Sequence, residues 1–129
     1  PPRSTLFPYT TLFRSVQEIA AAIACPVVGI YKDRNEAVVY GGAVHISKQS
    51  QRLSDGRSVY GFVFRPGASS DSWNGLIPGG EVVSLSQEHG IVKLPQEELN
   101  KIKLGDLLLI CPVHSCLSAD LLKSNTVIV

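Results

Sequence analysis

Leu107-Leu108-Leu109-Ile110-Cys111-Pro112 is the stretch on which the reading of this chain turns. A continuous aliphatic run, bounded by Gly105-Asp106 and by a proline, predicts a short strand buried in the core. Pro112 has no N–H to give to a sheet ladder, so regular pairing is expected to stop there. Beyond it lies Val113-His114-Ser115-Cys116-Leu117-Ser118-Ala119-Asp120. In extended chain, residues i and i+2 point to the same side, so His114 and Cys116 are expected to be able to face one metal ion. A neutral imidazole and a thiolate both suit zinc. Spacing alone leaves a second reading open. Catalytic zinc normally takes three protein ligands and structural zinc four. A satisfied histidine at a strand end beside a small buried thiol has the same sequence.

Upstream of this strand the chain is a series of short apolar runs separated by Gly, Pro and polar turns. Val16 to Ala24 is ambiguous: its alanines favour helix, yet it runs into β-branched Cys25-Pro26-Val27-Val28-Gly29-Ile30-Tyr31. Pro26 biases Cys25 away from helix and suits a bulge or an edge. Lys32 to Asn35 turns the chain into Ala37-Val38-Val39-Tyr40, a hairpin pattern. Gly41-Gly42 ends that strand. Arg57 to Phe64 predicts the next one, and 65–74 a loop with Trp73 near its end. Leu76 to Gly80 reads as a turn, and Val82–Leu85 and Ile91–Leu94 as strands flanking Gln87-Glu88-His89-Gly90. Pro95 to Lys103 suits one or two helical turns, with Pro early and acids in the first turn. Thr126 to Val129 reads as a last strand left at an open edge. Six or seven short strands predict a mostly β fold, a small barrel or sandwich in one domain.

Residues 1–15, PPRSTLFPYTTLFRS, share none of this patterning and read as translated sequencing adapter, a non-native, disordered leader. The domain is therefore expected over 16–129. The whole chain has a formal net charge of +1. Without Arg3 and Arg14 the remainder carries 10 Lys and Arg against 11 Asp and Glu, a formal charge of −1. That balance and the lack of a basic stripe argue against nucleic acid as a partner. No apolar run is long enough to span a bilayer. Three cysteines, with no secretory leader, fit reduced thiols in a cytoplasmic protein.

Other chemistry-bearing residues divide less clearly. Glu88-His89 suits outer support of a metal ligand or an acid/base pair; from the residues alone a solvated turn in which Gly90 supplies a positive φ is the better reading. His45 reads as a strand-end residue, and Cys25 and Cys111 as core. Neither glycine pair has the strand–loop–helix context of a phosphate loop. Residue by residue, the chain reads as a small β domain with a candidate two-ligand metal site.

Taken in order, Ser84-Leu85-Ser86-Gln87-Glu88-His89-Gly90, Lys103-Leu104-Gly105-Asp106 and Pro112-Val113-His114-Ser115-Cys116 resemble the C-terminal β domain of the D-serine dehydratase and D-threonine aldolase-like family. These are pyridoxal-phosphate enzymes of the alanine racemase fold type. The resemblance runs from Ala21 to Val129. It implies a parent enzyme with an N-terminal α/β barrel that holds pyridoxal phosphate on a lysine, in a homodimer. It implies that His114 and Cys116 bind a divalent metal, zinc here, which takes the hydroxyl of a D-amino acid substrate while the cofactor acts as electron sink. It assigns no catalytic or cofactor-binding residue to this chain. The family often carries Asp-x-Gly-x-Lys-Ala after the first hairpin. Here Tyr40-Gly41-Gly42-Ala43-Val44-His45 stands there, which leaves dehydratase and aldolase both open. The chain is then expected to be a fragment, without its barrel and short at the C-terminus, and inactive alone. The alternative is a free-standing β module, with or without a structural zinc, serving as a binding domain.

Overall fold

A computed structural model of the chain describes residues 21–67 and 75–127. The leader expected over 1–15, Trp73, residues 16–20 and the final two residues lie outside the described residues.

Six strands close into an antiparallel barrel: β1 (Ile23–Tyr31), β2 (Glu36–Tyr40), β5 (Gly61–Phe64), β6 (Leu76–Leu85), β7 (His89–Lys93) and β8 (Leu107–Pro112). Around the barrel they run β1-β2-β7-β6-β5-β8. A separate two-stranded ribbon, β3 (Gln51–Arg52) with β4 (Ser58–Val59), precedes β5. The mostly β barrel expected from the sequence is the fold found. β8 is the closing strand: Ile23 pairs with its Ile110 on one side, and Val63 pairs with the same residue on the other.

The apolar run of β8 has two jobs. Leu108 and Ile110 point into the barrel with Cys25, Val27, Ala37, Val39, Val63, Val82 and Val92. Cys111 and Leu109 pack outside it, with Val59, Phe62, Phe64 and Val113. That two-sided burial is why alternation is missing from the sequence there. Full burial of each Leu or Ile contributes roughly 1.5–3 kcal/mol before entropic costs. In β1 and β2 the usual alternation returns, with Cys25, Val27, Ala37 and Val39 inward. Pro26 is the last β1 residue paired with β8, and the register of β1 against β2 shifts just after it, between Val27 and Gly29.

The short helix expected near Pro95 is α1, Gln96–Leu99. Its Glu98 is buried. Arg65 Nε donates to Glu98 Oε2 at 2.9 Å and Arg65 Nη2 to Oε1. These charged hydrogen bonds hold the Glu98 carboxyl below its ordinary range. They tie the start of the 65–75 connection to α1 at one end of the barrel.

Four local expectations are corrected. Leu76 to Gly80 is not a turn but the first half of β6. Between the Phe62–Glu81 and Phe64–Leu76 pairs, β6 carries extra residues, so Pro78-Gly79 arches out as a bulge within the strand. The segment after β8 is helical: α2 spans Ser115–Leu122, followed by a 3-10 turn at Lys123–Asn125. Ala and Leu supply helix propensity there, and Ser118 is buried, accepting from the Ser47 N–H. Thr126 and Val127 are not in a strand, so the expected terminal strand is absent from the described part of that stretch. Gly90 does not turn the chain with a positive φ; it lies inside β7. A Cβ on it would come within 2.7 Å of the Gly41 carbonyl oxygen, so close approach of two backbones, not turn geometry, calls for glycine.

Candidate metal centre

Strict antiparallel alternation puts the start of β1, β5 and β7 and the end of β2, β6 and β8 on one rim. Tyr40 pairs with His89 there, Leu85 with Gly90 and Gly61 with Pro112. His114, Cys116, Glu88, His89 and His45 therefore all sit on or just beyond the same rim. A cavity of about 320 Å³, lined by Arg65, Ile77, Glu98 and Asp106 among others, opens at the opposite end. Its Arg65 and Glu98 are already paired with each other.

His114 is the N-cap residue of α2, with extended φ and ψ of −140° and 121°. Cys116 lies in the first turn of that helix. The two therefore leave a strand-to-helix turn, not an extended strand, and Cys116 does not share a strand face with His114. His114 does not cap the helix with its side chain. Its Nδ1 is hydrogen-bonded to Gln49 Oε1 instead. An amide oxygen only accepts, so in the neutral ring this partner calls for the proton on Nδ1 and leaves the lone pair on Nε2. The loop that carries Gln49 is clasped to α2. The Ser47 N–H donates to the buried Ser118 Oγ at 3.2 Å, and the Gln49 N–H donates to Ser47 Oγ at 3.1 Å.

The three cysteines are not equivalent. Burial pushes the Cys25 thiol up to about 12 and the Cys111 thiol up to about 11. Both stay protonated at neutral pH and unsuited to ligate. Cys116 is exposed. We expect an alkylating reagent to modify one thiol in the native chain and all three in denaturant, counted by mass spectrometry. Modification of Cys25 or Cys111 at a comparable native rate would contradict the core packing described above.

Glu88, in the β6–β7 connection, and His89, the first residue of β7, are exposed. That connection is packed on the turn after β2: the Ala43 N–H donates to the Ser86 carbonyl at 2.8 Å and the Val44 N–H to the Gln87 carbonyl at 3.1 Å. A Cβ at Gly42 would lie 2.5 Å from the backbone of both Glu88 and His89. The Tyr40 ring bridges two histidines. Its centroid lies 5.1 Å from that of His45 and 5.6 Å, edge-on, from that of His89. The Gly42 N–H donates to His45 Nδ1 at 3.2 Å.

No group of three or more His, Cys, Asp or Glu side chains converges among the described residues. The rim thus carries His114 and the exposed Cys116 on the strand-to-helix turn, with Glu88 and His89 bordering the same end. Sequence reasoning missed Gln49, Ser47 and Ser118. They are ordinary polar residues in a loop and a helix, and no spacing marked them.

The domain is a closed antiparallel β-barrel, and a His-x-Cys sequence follows its closing strand. The family profile for the putative serine dehydratase domain matches residues 20–128, and the chain belongs to that family. Among solved structures, it is similar to an alanine racemase-like protein from Idiomarina loihiensis, with 28% identity and a TM-score of 0.68 over 83% of this chain and 28% of that one. It is also similar in fold to D-threo-3-hydroxyaspartate dehydratase from Delftia sp. HT23, with 22% identity and a TM-score of 0.66 over the same shares. A cysteine-to-alanine mutant of that dehydratase in the metal-free form matches with a TM-score of 0.65 at 22% identity, covering 83% of this chain and 28% of that one. A histidine-to-alanine mutant, its replaced residue two positions earlier, matches with a TM-score of 0.64 at the same identity and shares. The chain therefore spans about 28% of the length of these proteins. No curated protein matches it. No helix among the described residues is long and apolar enough to cross a membrane.

Proposed function

We propose that this chain is the metal-binding C-terminal domain of a pyridoxal-phosphate-dependent lyase that acts on β-hydroxy D-amino acids. The observation that carries the reading is the His114–Cys116 pair at the barrel rim, with His114 held in the tautomer that leaves Nε2 open to a ligand. The donor set fits a catalytic ion better than a structural one. Two protein ligands leave positions for substrate and water, whereas structural zinc is closed by four. Support also comes from the dehydratase of similar fold, whose metal-free form is described for a mutant lacking a cysteine. A divalent ion held here would polarise the substrate hydroxyl and ease its departure. His114 would supply Nε2 and Cys116 its sulfur, and a thiolate favours zinc over harder ions.

In this reading the chain's own residues bind and orient. Gln49 fixes the His114 ring, and Pro112 and the Ser47–Ser118 clasp fix the backbone on either side of the pair. Glu88 and His89 on the same rim act as outer support. The lysine that holds pyridoxal phosphate belongs to an N-terminal barrel, so this chain alone is inactive, and the full-length enzyme is a homodimer in the cytoplasm. Dehydration is favoured over aldol cleavage, since an ion that binds the departing oxygen assists its loss directly.

The test is turnover by the full-length enzyme with pyridoxal phosphate and zinc, offered D-serine, D-threonine and D-threo-3-hydroxyaspartate in turn. A 2-oxo acid with ammonia marks dehydration; glycine with an aldehyde marks aldol cleavage. We expect the former, with no turnover of the L-isomers. Absence of lyase activity on all three D-amino acids would overturn the reading.

A further inference from the structure

We propose that Gln49 is a positioning residue that selects Nε2 of His114 as the metal-ligating atom. This rests on the reading of His114 and Cys116 as metal ligands and assigns a role to a loop that the reading otherwise leaves unused. The geometry is a closed circuit. Gln49 Oε1 meets His114 Nδ1. The Gln49 N–H is bound to Ser47 Oγ at 3.1 Å, and the Ser47 N–H to Ser118 Oγ at 3.2 Å. Ser118 lies two residues beyond Cys116 on α2 and is 3% exposed. Ile46, adjacent to Ser47, is fully buried in the barrel core. The amide is thus presented from an anchored backbone, not from a freely moving loop tip.

The chemistry follows from the donor inventory of the two side chains. A neutral imidazole has one N–H and one lone pair. A carbonyl-type oxygen at Nδ1 puts the proton there and directs the lone pair at Nε2 outward. Metal-ligating histidines ordinarily donate their second N–H to such an acceptor, which fixes ring orientation and raises ligand basicity. Without Gln49 the ring is free to rotate and to place its proton on Nε2, where it blocks coordination. The His114 side chain makes no capping hydrogen bond to α2 that would hold the ring in place of Gln49.

The experiment has two readouts on the 129-residue chain. The first is the tautomer of His114 in metal-free protein, read from long-range proton–nitrogen correlations of the imidazole at a pH where it is neutral, and assigned with His114→Asn. The second is cobalt(II) affinity, followed by the thiolate-to-cobalt charge-transfer band. The wild type is expected to hold the Nδ1–H form. Gln49→Ala is expected to shift the proton toward Nε2 and to weaken cobalt binding by about 10–100-fold, the usual cost of losing an outer-shell partner. Gln49→Glu, which keeps an acceptor oxygen, is expected to retain both. A cobalt band with a tautomer or affinity indifferent to Gln49→Ala overturns this proposal alone. A tautomer that responds to Gln49 without any cobalt band in the wild type overturns the metal reading, and this role with it.

Discussion

Gly42→Ala is expected to destabilise the domain by about 3 kcal/mol, the upper end of what overpacking costs. A Cβ at this position would lie 2.5 Å from the backbone of Glu88 and of His89 and 2.6 Å from the Gln87 carbonyl oxygen. Backbone cannot rotate out of the way as a long side chain does, so one connection must lift off the other. That movement would break the Ala43-to-Ser86 and Val44-to-Gln87 hydrogen bonds. They join the β2 exit to the β6–β7 connection at the rim that also carries His114. Val44→Ala, two residues on and 42% exposed, is expected to stay within about 0.5 kcal/mol of the wild type. Denaturant midpoints of the two variants make the comparison. A Gly42→Ala chain as stable as the wild type would mean that the two rim connections are not packed as described.

The second large effect concerns the metal. In the full-length enzyme, His114→Ala and Cys116→Ala are each expected to lower turnover by more than the roughly 10–100-fold that losing an outer-shell partner costs. Bound zinc, measured by elemental analysis after dialysis, is expected to fall with it. With two protein ligands, removal of one leaves an ion held by a single residue, far below what zinc sites use. Cys116→Asp is expected to behave differently. A carboxylate keeps a ligand but is hard, so zinc weakens and manganese improves. Cys111→Ala, at a buried position in the cluster outside the barrel, is expected to leave zinc content unchanged. A Cys116→Ala enzyme with full zinc and full turnover would remove Cys116 from the site.

The barrel was legible because its strands obey simple rules. β8 shows as an aliphatic run, the β1–β2 hairpin as β-branched residues around a polar turn, and α1 as a proline followed by acids. β6 was half legible. Pro78-Gly79-Gly80 has the composition of a turn, and only tertiary pairing on both sides turns it into a bulge within a strand. α2 was missed because His-x-Cys after a proline invites an extended reading, while a helix of eight residues has too few turns to show a period. At the rim, sequence reasoning reached the residues with distinctive chemistry: His114, Cys116, Glu88 and His89. It had no access to Gln49 or to the Ser47–Ser118 clasp. Those hydrogen bonds join positions 65 and 71 residues apart, and a polar side chain carries no mark of a distant partner.

The metal site stands or falls on the electronic spectrum of the 129-residue chain with cobalt(II), a probe that reports sulfur ligation without need of substrate or turnover. We expect a thiolate-to-cobalt charge-transfer band in the wild type, its persistence in Cys25→Ala and Cys111→Ala, and its loss in Cys116→Ala and His114→Ala. A band that survives Cys116→Ala, or no band in the wild type at saturating cobalt, would contradict the claim that this rim is a metal site.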